Sequence, residues 1–242
     1  MNFRSLANRN FKELWRDPLS ILLGLGIPAL VILVFLPIMK GAAAPAEFTK
    51  TFTASAAVFS FAFLATFSSI LIANDRQSAF LSRLLTTPLR PSDFIFAYAL
   101  PFIPLAVLQV VICFAASAIF GFTINGYVVL AILVMLPIAV LCIGIGMMLG
   151  SLFNEKQAPA AASMVMIIIG LSGGLYMPLD LIGGTFQDIC YGLPFIHAVD
   201  AALAVIDGAG FGDIAIDLVW VIGYSVAVFV LGVQFFKWKT KG

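Results

Sequence analysis

The chain has 242 residues, of which 62% are hydrophobic and 10% charged, with a net charge of +1 and a mean hydropathy of +1.10. This excludes an ordinary soluble domain, and the missing basic surplus excludes the electrostatic footprint that nucleic-acid binding needs. Six apolar blocks and their short connections consume nearly all of the length, which leaves one membrane domain over residues 1–242 and no room for a separate catalytic domain.

At the N-terminus, Phe3, Leu6, Ala7, Phe11, Leu14 and Trp15 recur at three- and four-residue steps, while Arg4, Asn8, Arg9, Lys12 and Arg16 occupy the remaining face. The pattern predicts an amphipathic helix in the membrane interface, its basic face toward anionic lipid headgroups. A positively charged leader to the first span is the simpler alternative. Pro18 can open the next helix, because the N–H it lacks would be unbonded there. The first block, Leu19 to Met39, is too long for the apolar core of a cleavable signal and reads as a retained span.

The later blocks run from Ala54 to Ala73, Phe94 to Phe120, Val128 to Gly150, Ala158 to Pro178 and Ala215 to Phe236. Each supplies the roughly 20 residues that carry a helix across about 30 Å of hydrocarbon. Between the second and third blocks, Phe80, Leu81, Leu84 and Leu85 form an apolar stripe on a short helix, with Asp75, Arg76 and Arg83 projecting elsewhere, and Pro88 supplies a stop. Such a helix fits a groove on a partner or lies against the protein's own membrane face. The length of this connection favours a partner. Pro101, Pro104, Gln109 and Pro137 lie inside spans, and Gly146 to Gly150 makes a GxxxG match that serves either packing within the chain or dimerisation.

No span carries the array of ionisable residues that a proton relay or voltage sensor requires. After the fifth block, Pro194 to Ile206 is apolar but too short for a seventh crossing, and it predicts a re-entrant or interfacial helix ending at Asp207-Gly208. Pro194, His197 and Asp200 mark this segment. His197 is the chain's one histidine, and with no second ligand or nucleophile beside it a local hydrogen bond is the expected role. Cys113, Cys142 and Cys190 lack paired spacing and read as buried apolar residues or bystanders. The fold class that follows is an all-α integral membrane protein. It has six transmembrane helices, an N-terminal interfacial helix and a short external re-entrant segment between spans five and six.

Charge orients the chain. With the N-terminus inside, eleven of the thirteen Lys and Arg residues fall on inner segments and only Lys40 and Lys50 on outer ones. The positive-inside rule places both termini in the cytoplasm.

Four elements in this order resemble the membrane permease subunit of type-2 ABC transporters. They are the basic leader through Arg16-Asp17-Pro18, the inner loop with Leu84-Leu85-Thr86-Thr87-Pro88-Leu89, the Ser172-Gly173-Gly174-Leu175-Tyr176-Met177-Pro178 element and the late Pro194-Phe195-Ile196-His197-Ala198 segment. The resemblance covers essentially the whole chain. It implies a six-span permease in a plasma membrane, the inner membrane of a prokaryotic cell, that pairs with a second permease copy or homologue and two cytoplasmic ABC nucleotide-binding ATPase subunits, usually for export. In that reading Arg76, Phe80, Leu81, Arg83, Leu84 and Leu85 belong to the coupling helix, Phe3, Phe11, Leu14 and Trp15 to the interfacial helix, and Pro194, His197 and Asp200 to the external re-entrant segment. The chain departs from the family in placing Asn74-Asp75-Arg76 where Glu-Arg is usual, and Ala202 where Arg is common. Because it lacks the GxxxxGK[S/T] phosphate loop, no cofactor is expected on it, and ATP and Mg are expected on the partner ATPase. Lipid surrounds the chain, and the cargo, a small molecule, lipid or polymer, is not encoded in a readable motif. The alternative reading is an ATP-independent membrane scaffold or assembly factor.

Overall fold

A computed structural model of the chain describes residues 3–41, 46–77 and 96–240. Every regular element among them is a helix: α1 (Phe3–Trp15), α2 (Pro18–Gly41), α3 (Ala46–Gln77), α4 (Phe102–Ala118), α5 (Gly126–Leu152), α6 (Ala158–Ser172), α7 (Leu179–Ile182), α8 (Gly184–Tyr191), α9 (Pro194–Ile206) and α10 (Phe211–Thr240). Five are long and apolar enough to cross a membrane, namely α2, α3, α4 with the turn before it, α5 and α10. Asp17 starts α2 by accepting the Ser20 N–H at 3.2 Å and the Ser20 hydroxyl, the capping arrangement that satisfies an orphan donor. Beyond that cap α2 is apolar on every face and among the least buried spans, as suits a helix against lipid.

The core forms around α3, whose middle is rich in small buried residues: Ala54, Ala56, Ala57, Ser60, Ala62, Ala65 and Ser68. Without water to drive association, spans gain most from close backbone approach, and these residues permit it. At Gly146 on α5 an added Cβ would overlap the Ala65 carbonyl oxygen and Ser68 Oγ, and at Gly150 the Ser69 carbonyl oxygen. Ser68 Oγ also donates to the Ile143 carbonyl oxygen at 3.3 Å. The GxxxG pair therefore packs α5 on α3 within one chain. Gln109, buried on α4, donates to the Gly24 carbonyl oxygen of α2 at 3.0 Å, and Ser225 of α10 to that of Pro137 in α5 at 3.0 Å.

The fifth block is the place where the architecture differs from a row of simple spans. The helix occupies only Ala158–Ser172, about 22 Å at 1.5 Å per residue, short of the roughly 30 Å core. Gly173 and Gly174 end it; Gly174 takes φ +70°, a left-handed conformation that glycine enters without a Cβ clash. The chain then turns through α7 and α8, bends by 82° between α8 and α9, and climbs along α9. The depth of this hairpin can be read from its neighbours. Its base at Gly192 accepts from Tyr224, thirteen residues into α10, whereas its tip at Asp207 pairs with Lys50 near the start of α3. Thus α9, about 20 Å long, begins inside the bundle and ends at the side where α3, α5 and α10 begin. α8 and α9 together are apolar and long enough to count as one bent span beside the shorter α6, and α10 follows them.

Candidate functional site

Among the described residues, two polar clusters stand out, one on the side of α1 and one within the bundle at the base of the hairpin. The first lies where α1, the end of α3 and the start of α4 converge, beside both ends of residues 78–95. On α1 the buried face is Leu6, Ala7, Asn10 and Leu14, while Phe11 and Trp15 stand outward with ring centroids 5.7 Å apart. Asn10 is a polar residue in the middle of that apolar face, and its Nδ2 donates to the Ala97 carbonyl oxygen at 3.2 Å. Arg9 turns inward from the basic face. It grips Asp75, with Nη2 donating to Oδ1 at 2.7 Å and Nη1 to Oδ2, and Nη1 also donates to Asn10 Oδ1 at 3.1 Å. The Tyr98 hydroxyl donates to the same carboxylate, and Asp75 is buried.

Glu13, one turn after Arg9, sits 2.7 Å from its guanidinium. Burial pushes the Glu13 carboxyl above its ordinary value, while Arg9 pulls it down. For Arg9, burial lowers the pKa and the bonded Asp75 carboxylate raises it, with an upward net result. Beside Asp75, Arg76 points the other way. Its Nη1 donates to the carbonyl oxygens of Gly150 at 3.0 Å, Ser151 and Phe153 at 3.3 Å, capping the C-terminal end of α5, where orphan carbonyls and the helix dipole favour a cation. Two adjacent residues at the end of α3 thereby tie it to α1, to the turn that leads into α4, and to α5. Asp75 and Tyr98 also join the two ends of the 78–95 connection to each other.

The second cluster is at the base of the hairpin. His197 on α9 lies with Nδ1 2.6 Å from Asp217 Oδ1 on α10 and Nε2 2.9 Å from the Tyr191 carbonyl oxygen of α8. Trp220 stacks on the imidazole, centroids 5.2 Å apart and planes 6° apart, and Tyr191 meets it edge-on. Asp200 is turned toward the Tyr191 side chain instead. His197 and Asp200, one turn apart on α9, both meet Tyr191, His197 at its carbonyl oxygen and ring edge and Asp200 at its side chain, while only His197 is bonded to Asp217.

Of the residues singled out from sequence, Arg76, Phe11, Leu14, Trp15, Pro194, His197 and Asp200 are described. Phe80, Leu81, Arg83, Leu84 and Leu85 lie outside the described residues, as does the side chain of Phe3. The sequence pattern did not reveal the inward turn of Arg9, the partners of Asp75, or Tyr98 and Trp220, and it marked Asp217 as an acid at the start of the sixth span without its partner His197. The available signals were a lone Asn10 on an apolar stripe and an acid immediately before Arg76.

Residues 1–206, from α1 through α9, match the model of the ABC-2 type transporter family. None of the curated proteins compared with the chain matches it.

Proposed function

The chain belongs to the ABC-2 type transporter family and is a membrane-embedded permease subunit; we propose that it exports its cargo by coupling to separate cytoplasmic ATPase subunits. In this reading α1 and the 78–95 connection face the cytoplasm of a prokaryotic cell, in its plasma membrane, and a second permease completes the assembly. ATP and Mg reside on the ATPase subunits, and the chemistry supplied there is phosphoanhydride hydrolysis. This chain's part is mechanical. Phe80, Leu81, Leu84 and Leu85 offer the apolar face that docks, Arg83 flanks it, and movement passes to the spans at the ends of the connection.

The observation that carries the proposal is the pair of ties at Asp75 and Arg76. A loop that receives force needs ends that do not slip, and here one end is bonded to α1, to the turn that leads into α4, and to α5 within two residues. A displacement of 78–95 then moves three membrane helices and the interfacial helix together. The test is affinity purification from native membranes in mild detergent, with partners identified by mass spectrometry and ATPase activity measured on the same sample. Stoichiometric recovery of an ABC nucleotide-binding protein with activity is expected. Clean recovery of the intact permease alone would reject the proposal.

A further inference from the structure

The hairpin is fastened to α10 through His197, and the geometry of that fastening requires a proton. A backbone carbonyl only accepts, so Nε2, 2.9 Å from the Tyr191 oxygen, must carry hydrogen. A neutral ring then has only a lone pair at Nδ1, which against an ionised Asp217 oxygen at 2.6 Å is repulsive, so the contact needs one proton between the two groups. A second ring proton converts the same contact into a charge-assisted N–H···O bond. Trp220, parallel to the ring at 5.2 Å, offers the aromatic face on which a cation is favoured.

We propose that His197 is held as an imidazolium by Asp217, Tyr191 and Trp220, and that it acts as a proton-dependent clasp closing the α8–α9 hairpin onto α10. The groups around it suit this role. Asp217 faces it from α10, Asp200 lies one turn along α9 with the Tyr191 side chain of α8 beside it, and Asp180 of α7 acts on Asp200. Tyr224 of α10 adds a neutral hydroxyl bonded to the Gly192 carbonyl oxygen. Behind α9, α3 contributes Lys50 only at the opposite end, where Asp207 neutralises it, and α5 contributes Tyr127 at Gly208. The near field is acidic. The bond exists only while the ring carries its second proton, and removing that proton leaves two lone pairs facing each other across the α9–α10 contact. Opening the hairpin would uncover Cys190, which is buried beside Tyr191.

The single histidine makes the test direct. The full-length chain, carrying a histidine-free affinity tag and ring-15N-labelled histidine, is placed in lipid bilayers and its nitrogen resonances followed with pH. Both ring nitrogens protonated in the wild-type chain at pH 7 is expected, with a neutral ring in Asp217→Asn at the same pH. A neutral ring at pH 7 in the wild-type chain would overturn the proposal. The closing role is read separately from maleimide labelling of Cys190 in a Cys113→Ala, Cys142→Ala background. The labelling rate relative to the same chain carrying His197→Gln cancels the thiol's own ionisation. That ratio should rise about tenfold or more from pH 6 to pH 9, the factor for losing one charge-assisted hydrogen bond. A ratio that does not change with pH would leave no clasp.

Discussion

Replacing Asp75 tests whether α1 is bonded into the bundle or merely lies beside it. The carboxylate side chain is 5% exposed and the Arg9 side chain 33%. Asp75 accepts two bonds from Arg9 and one from Tyr98. Hydrogen bonds to charged groups contribute about 1.5–3 kcal/mol each, so simple addition would give roughly 4.5–9 kcal/mol as an upper bound. Bonds within one cluster are not additive, and an Arg one-third exposed regains hydration when its partner is removed. The expected loss for Asp75→Ala is therefore about 2–4 kcal/mol. The assay is a double-mutant cycle of Arg9→Ala, Asp75→Ala and the pair, with unfolding in mixed detergent micelles followed by circular dichroism. An Arg9–Asp75 coupling energy of about 1.5–3 kcal/mol is expected, whereas additive single losses, within about 0.5 kcal/mol, would refute the tie.

Other outcomes follow from the same structure. Gly146→Ala should cost about 2–3 kcal/mol, because its Cβ meets backbone and a buried hydroxyl on α3, whereas Gly26→Ala, with open space around it, should be neutral or slightly stabilising; thermal midpoints of the purified variants compare the two. Arg76→Ala should speed amide hydrogen exchange in the last turn of α5 by uncapping Gly150 and Ser151, and unchanged exchange there would contradict the cap. The Ser20 hydroxyl and N–H hold the Asp17 carboxyl below its usual range. The resulting stability is present above the ordinary carboxylate pKa and lost as pH falls, so the stability gap between wild type and Asp17→Asn should shrink on acidification. Replacing Leu84 and Leu85 together by Glu should abolish ATP-dependent transport while leaving membrane insertion intact, since charge on a docking face must be desolvated on contact; normal transport would remove that face from the account.

The spans were legible because hydrocarbon thickness imposes a length that apolar runs reveal directly, and α2, α3, α4 and α5 lie where those runs do. The fifth block shows the limit of that reasoning. Its residues from Ala158 to Pro178 are apolar enough to cross, yet Gly173 and Gly174 stop the helix at Ser172, and apolar character alone does not separate a straight span from a helix followed by a buried turn. The same limit applies to pairing. Arg9 falls on the basic face of α1 by periodicity, but a long side chain reaches back across its own helix when a buried carboxylate waits there. Asp200 is the acid nearest to His197 in sequence, whereas the structure pairs the ring with Asp217, twenty residues on, because α9 folds against the first turns of α10. Local spacing identified which segments matter, and the partners were set by tertiary packing.

The proposed coupling requires that the ATPase engage the connection between α3 and α4. A photo-crosslinking amino acid at Leu84, incorporated into the full chain in its native membrane, tests this most directly. A covalent adduct with an ABC nucleotide-binding subunit, its yield changing with ATP, is the expected result. Adducts confined to lipid or to the permease itself, with the ATPase present and the chain correctly inserted, would contradict it.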